Sequence, residues 1–476
     1  MTSIPSRAVA VLALASLSLA TACSESTLDI ANPNTPSIAG AGGDPQALQL
    51  LATGLLRQNR NNRGTILDVA RFGREAYSYT PSEGRNTSAY LIGISGQNKI
   101  DPSGFAVGGW AGPYGNLRDV YNFKNTVNAQ ATLTDAQKKA SLGFARTIEA
   151  IELLTVVSTR DSLGGIVQIN ADPRELAPFV SRDSMYKYIL NTLDQANTEL
   201  GEGGTAFPFT LHGGYAGFNT PATFRTFNRA LAARAAAYYA TSGGGATAWQ
   251  RARTALDASF ININATTAAQ YNVGVFYPYG AAPDVINPYS QTNNTDLYAH
   301  MSIQTDAPRK ADGTLDNRYL AKIGTRPERN APQGLGIPSS LGFNLYPTIS
   351  TSISLIRNEE LILLRAEILL ATGDKAGAIA MINNIRVNSG GLAPTTLTAA
   401  SPDADIITEI LVQKRYSLLM EGHRWIDMRR YGRLNELPRD ITSGVNAHFV
   451  ARVQPLPQAE CLQRVGQTGA LAGPGC

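Results

Sequence analysis

Histidine and cysteine are scarce: the 476 residues hold four of the first and three of the second. None of them cluster, which leaves little material for a metal site. Charge is thin as well. Lys, Arg, Asp and Glu together make up 16% of the chain, against about a quarter in an average domain. Lys plus Arg number 41 and Asp plus Glu 37, a net charge of +4. That is too small and too evenly spread for a nucleic-acid surface. No block of five like charges occurs, which excludes acidic or basic tails. HExxH, GxSxG and P-loop patterns are missing too, so the common metalloprotease, serine-hydrolase and nucleotide signatures fall away. Apolar residues, by contrast, reach 43%. That is enough for a sizeable core and excludes wholesale disorder.

Arg7 precedes a charge-free stretch of small and apolar residues over 8–22. It has the shape of the first two regions of a secretory signal. It is shorter than the about 20 residues an uninterrupted membrane span needs, and no later run approaches that length. The stretch ends Leu19-Ala20-Thr21-Ala22-Cys23. Small residues before a cysteine resemble the lipobox of bacterial lipoproteins, with Ala20 standing where Leu is commonest. The expectation is a signal peptide over 1–22 and a lipidated Cys23; the alternative is an ordinary signal with a chance cysteine. Cys461 and Cys476 lie in the last sixteen residues. An exported thiol pair is expected to oxidise, closing a loop of about fifteen residues worth roughly 3 kcal/mol in the entropic account. Two unpaired thiols on a loose tail are the other reading.

Residues 23–44 are rich in Ser, Asn, Pro and Gly and read as a tether. Asp44-Pro45 then has the form of a helix start, and Leu48, Leu51 and Leu55 follow at helical spacing. Further stripes include Phe144, Ile148 and Ile151 behind a Thr134-x-x-Gln137 capping box, and Met185, Ile189, Leu193 and Leu200. Thr220-Pro221 starts the helix with Phe224, Phe227 and Leu231. From Ile356 a stripe runs through Leu361, Leu364 and Ile368 to Gly373; Asp374 then opens a second helix with Ala378, Ile382 and Ile385. That pair has the form of a tight helical hairpin. The count is about nine or ten helices. Residues 61–114 and 261–350 lose the period and read as long irregular excursions, which in a compact domain are usually functional.

The residues Arg357-Asn358-Glu359-Glu360, Leu364-Arg365-Ala366-Glu367, and Glu421-Gly422-His423-Arg424-Trp425-Ile426-Asp427-Met428-Arg429-Arg430 resemble the C-terminal half of SusD/RagB lipoproteins. Pro455-Leu456-Pro457-Gln458 near the end, Asp161-Ser162-Leu163-Gly164-Gly165 in the middle and Leu28-Asp29-Ile30 near the start are similar to that family in the same order. The hairpin around Gly373 resembles a tetratricopeptide unit. The resemblance implies an all-α scaffold of tetratricopeptide-like hairpins with long loop excursions. It divides into an N-terminal half, 45–260, and a C-terminal half, 261–476, in one compact unit. It further implies an outer-membrane lipoprotein, facing outside, that captures glycans or, in some members, peptides. The implied partner is a SusC-type TonB-dependent transporter. No cofactor is implied.

Aromatic residues in the irregular stretches are the best clue to a ligand. Six fall within 271–298, well above the 8% of the whole chain: Tyr271, Phe276, Tyr277, Tyr279, Tyr289 and Tyr298. A second set is Phe72, Tyr77, Tyr79, Tyr90, Phe105, Trp110 and Tyr114. Tyr and Trp offer flat apolar faces with a polar edge, suited to stacking on sugar rings or peptides. Trp110, Tyr77, Tyr79, Tyr277 and Tyr279 are the candidate contacts; filling small cores under the loops is the competing role. His212, His300, His423 and His448 are scattered and read as hydrogen-bonding rather than ligating. Glu359, Glu360 and Glu367 read as structural, not as a hydrolytic carboxylate pair. Three functions stand side by side: a nutrient-binding module, a tetratricopeptide-like protein scaffold and a surface glycosidase. The long aromatic loops favour the first over the second, and the lack of a recognisable acid pair disfavours the third.

Overall fold

The structure is a computed structural model and describes residues 45–332 and 335–476. The signal peptide, Cys23, the tether and Asp44 lie outside the described residues. Among those described, nine helices have 13 or more residues.

The scaffold is a succession of helices, each packed on a neighbour. Helix α1 (Pro45–Asn61) is followed by the short α2 (Gly64–Phe72), then α3 (Ala111–Ala129), α4 (Asp135–Arg160), α5 (Arg182–Gly201), α6 (Pro221–Tyr239) and α7 (Gly245–Asp257). Helix α1 packs on α3, and each later helix on the one before it. The line continues from α7 to α8 (Asn358–Ala371), α9 (Lys375–Asn388) and α10 (Asp403–Ser417). The short α11 (Arg424–Arg430) packs back against α2, joining the two ends of the chain.

Local chemistry explains where these helices start. At α4 the Gln137 amide donates to Thr134 Oγ1 (3.2 Å) and the Thr134 amide to Gln137 Oε1 (3.0 Å), so two of the four free N–H groups of the first turn are satisfied. Thr220 and Thr223 repeat the device at α6, and Ser181 caps α5. Gly373 turns out of α8 with φ +90°, a backbone favoured by glycine. Asp374 next to it accepts from the Gly377 amide at 2.8 Å to start α9. Ala366, Leu369 and Leu370 of α8 meet Ala378, Ile379 and Ile382 of α9 and Ile406 and Ile410 of α10 in one buried cluster.

The two stretches expected to be irregular contain regular elements. Residues 61–114 include α2, strand β1 (Ala76–Ser78) and a helix at Arg85–Leu91. Residues 261–350 carry β2 (Gly274–Tyr277), β3 (Leu297–Ala299), β4 (Ile323–Asn330) and β5 (Pro338–Phe343). Strand β6 (Ile353–Arg357) occupies the place where helical signals resume, so α8 starts later than Ile356. The pairs are β1 with β3, β2 with β6 and β4 with β5, all antiparallel. Their partners are remote in sequence: Ala76 meets Ala299, and Val275 meets Ile356. Strands of three to eight residues show too little alternation to be read before the partner is known. One core reaches from Leu48 to Leu456 and includes residues of both halves.

Charge is buried with its partners. Lys414 Nζ lies 2.8 Å from Glu367 Oε1 and 2.9 Å from Asp427. Arg430 contacts both acids, and Tyr431 donates to Glu367 at 2.8 Å. Arg234 grips Glu360 with two bonds of 2.6 Å; Arg357 contacts Glu359 and Glu421. Burial works against the Glu359 carboxylate, but Arg357 and Lys322 outweigh it and hold the group at about 2. Every member of the three-glutamate set is therefore engaged in an ion pair.

Candidate ligand-binding cleft

The connection from α1 to α3 borders an open cleft of about 620 Å³, within the range of small-molecule sites. Its walls come from the end of α1 and the start of α2 (Asn61, Asn62, Thr65), from Asp68 and Arg71 on α2, and from the loop that carries Phe105 and Trp110. Asp68 and Arg71 stand three residues apart on α2 and so share a helix face.

Tyr90 links these walls. Its hydroxyl receives a hydrogen bond from Arg71 Nη1 (3.0 Å) and lies against Asp68 Oδ1 and the Phe105 carbonyl. The Arg71 guanidinium sits 4.7 Å above the Tyr90 ring and also donates to Ser78 Oγ at 2.7 Å. Its Nε has no protein partner. Burial raises the Asp68 carboxyl above its ordinary range, although Arg71 and the Tyr90 hydroxyl pull it down.

The loop approaches α2 closely. A side chain at Gly108 would meet Asp68 Oδ2 at 2.1 Å, and Gly109 has φ +73°. Arg160 at the end of α4 holds this backbone by donating to the carbonyls of Gly108 (2.7 Å) and Val107 (2.9 Å). Burial lowers Arg160 to about 10. Trp110 is packed between Tyr114 (4.6 Å between ring centres) and Phe179 (5.9 Å), with Arg160 at 5.4 Å. Its Nε1 donates to Glu460 at 3.2 Å. Glu460 immediately precedes Cys461, whose disulfide with Cys476 closes the C-terminal loop, and Pro457 on the same approach also borders the cleft. Trp110 is 4% exposed, so it forms a fixed floor, whereas Phe105 is 45% exposed. Arg85 lies 4.8 Å from the Phe105 ring, and Asn86 lines the cleft nearby.

The other four aromatic candidates are elsewhere. Tyr77 and Tyr79 are 0% and 1% exposed and pack with Tyr298, Leu335 and Ile337 in a satellite core; Tyr79 donates to the Ile337 carbonyl at 2.7 Å. Tyr277 donates to Asn59 Oδ1 at 2.8 Å, and Tyr279 lies under Arg60. The structure does not bring the five together, and Trp110 alone of them borders this cleft. Sequence reasoning missed Asn61, Asn62, Asp68, Arg71 and Asn86. The legible signal was a pair of opposite charges three apart inside an otherwise apolar helix, close to an asparagine run. Phe105 and Tyr90 were within the wider aromatic set.

A second wide cavity, about 580 Å³, lies between β2, β6 and the helix at Asn317–Lys322. Among the described residues no group of histidine, cysteine and acidic side chains is arranged to hold a metal. No helix among them is long and apolar enough to cross a membrane.

Residues 346–463 match the model of the SusD family. The matched stretch is about a quarter of the chain and lies in its C-terminal half. A SusD-like protein of Formosa agariphila is 29% identical over 189 residues, which are 34% of this chain and 36% of that relative. The match thus spans about a third of the curated relative's length. SusD-type folds also recur among solved structures. NanU of Bacteroides fragilis superposes with a TM-score of 0.66 at 14% identity, over 92% of this chain and 99% of its own. A SusD-like carbohydrate-binding protein from Bacteroides fragilis gives 0.62 at 14% identity, over 89% and 99%. These likenesses place the helical scaffold and its excursions within the SusD fold.

Proposed function

We propose that this SusD-like chain is a binding protein, without catalytic activity, that takes an oligosaccharide in the cleft between Phe105 and Asn61. The observation that carries the reading is the cleft itself. An exposed aromatic ring sits beside asparagine amides, over a floor held rigid by Trp110. A sugar presents an apolar ring face and a rim of hydroxyls, and this surface offers a match to each. A related fold from Bacteroides fragilis is described as carbohydrate-binding, which supports the same class of ligand here. Export with lipidation at Cys23, anchoring at the outer membrane and delivery to a SusC-type TonB-dependent transporter complete the reading. A tethered binder beside its transporter needs only modest affinity, because the handover becomes effectively intramolecular.

A glycan and peptide array on the mature protein, followed by titration of the strongest ligand, tests the proposal. Glycan binding that falls at least tenfold in Phe105→Ala supports it. Binding to peptides alone would replace the ligand class, and unchanged glycan affinity in that variant would remove the cleft from consideration. Mass spectrometry of the membrane fraction reads Cys23 directly. Gentle detergent extraction that repeatedly recovers the protein without a large barrel would leave the tetratricopeptide-like scaffold reading ahead.

A further inference from the structure

A polar cavity of about 230 Å³ shares no lining residue with the cleft. It is built where the end of α4 meets the start of α5, the end of α6 and α11. Arg182, Arg429, Arg430 and Arg452 line it with a single carboxylate, Asp161.

The charges do not cancel locally. Arg430 is already balanced, since Arg430 and Lys414 together face Glu367 and Asp427. That leaves the guanidinium groups of Arg182, Arg429 and Arg452 around Asp161 alone. Arg182 donates to Asp161 Oδ1 at 2.7 Å and to the Ser242 carbonyl at 2.7 Å. Arg429 is spent on the carbonyls of Arg452 and Ser158 and approaches Asp161 only to 3.9 Å. Arg452 is 3.9 Å from Asp161 Oδ2, and its side chain is 70% exposed. It stands at the entrance as a cation with no close partner.

Two buried atoms in the same cavity lack any hydrogen bond, and they are of opposite kinds: Arg430 Nη1, a donor, and Asp161 Oδ2, an acceptor. The Arg430 side chain is 3% exposed. Buried polar groups without partners call for an explanation, and a ligand or water beside them is one. A simple inorganic anion answers the donor but is repelled by Asp161. A molecule with both an acidic group and hydroxyls answers the two atoms and the excess of positive charge together. Thr241 and Ser242 add side-chain hydroxyls to the wall.

From this geometry we infer that the Asp161–Arg452 cavity is a second binding site, for a small hydroxylated acid of the sugar-acid type. The acid group meets Arg452 and Arg430, and a neighbouring hydroxyl donates to Asp161. This assignment stands whether or not the Trp110 cleft binds carbohydrate.

Isothermal titration of the detergent-solubilised full-length protein with glucuronate, and with glucose as the uncharged match, tests it. The expected result is saturable one-site binding of glucuronate, none of glucose, and at least a tenfold loss in Arg452→Ala. Arg452 is exposed, so that variant retains its fold; a melting curve checks this. Phe105→Ala leaves the glucuronate affinity as it was. Absence of binding, equal binding of glucose, or an affinity untouched by Arg452→Ala overturns the inference. Loss of glucuronate binding in Phe105→Ala also overturns it, because the ligand would then sit in the other cleft.

Discussion

The hairpin segment from α8 to α11 and the excursion between α1 and α3 handle polar groups in opposite ways. In the first, Glu359, Glu360 and Glu367 are buried and each is paired with Arg or Lys. In the second, the backbone is held by Arg160 and Tyr90, while Asn61 and the Phe105 ring are exposed. A closed ionic network makes one arrangement rigid. An open one presents an aromatic ring and an asparagine side chain at a surface that solvent reaches. The contrast separates the part of the molecule that maintains shape from the part that holds the proposed ligand cleft.

The hardest test of this contrast is Glu367→Ala. Removing one acid strands Lys414 and Arg430 in the interior, and breaking such a pair costs about 3–5 kcal/mol. Urea unfolding reads the loss, while the folded fraction keeps its ligand affinity. Leu364→Ala, which empties a position 2% exposed in the main core, is expected to cost roughly 2–5 kcal/mol. Asp374→Ala removes the cap on the Gly377 amide, for about 1 kcal/mol. Phe105→Ala lies at the other end, with a stability change within about 0.5 kcal/mol and a clear loss of ligand affinity. If Phe105→Ala unfolds the protein, or Glu367→Ala abolishes binding while the fold survives, the division between the two regions fails.

Titration sharpens the same comparison, because two buried carboxyls respond in opposite directions. Glu359 is held at about 2 in the folded chain. Its ion pairs contribute fully above the ordinary glutamate range near 4.3, and that contribution is lost as pH falls toward about 2. Glu75, between α2 and β1, is raised to about 8 by burial, which outweighs Arg424 and Arg415. It stays protonated in the fold while the unfolded chain ionises, so stability falls as pH rises from about 4.3 to about 8. Melting curves of Glu75→Gln should therefore lie above the parent at pH 8 and coincide with it near pH 4. Equal shifts at both values would mean that Glu75 does not titrate this way.

Much of the scaffold was legible because helices advertise themselves locally. Apolar residues at spacings of three and four, Thr134 with Gln137, and Gly373 followed by Asp374 each act within a few residues of themselves. The excursions were illegible because β1 needs β3, more than two hundred residues away, before its three residues become a strand. Aromatic enrichment pointed to the right stretches but did not distinguish Tyr77, which a satellite core covers, from Phe105, which solvent reaches. The polar residues of the cleft escaped notice for a related reason. Asp68 and Arg71 are ordinary members of a helix until Tyr90 and the Gly108 backbone close around them.

The sequence by itself determined the helical scaffold and the positions of its caps and turns, since each depends on side chains close together along the chain. Only the tertiary structure decided which aromatics are exposed, which acids are paired and where orphaned donors and acceptors meet. Those properties depend on what residues hundreds of positions apart do to one another's access to water. Burial and pairing are set at that distance, and a ligand reads what they leave over.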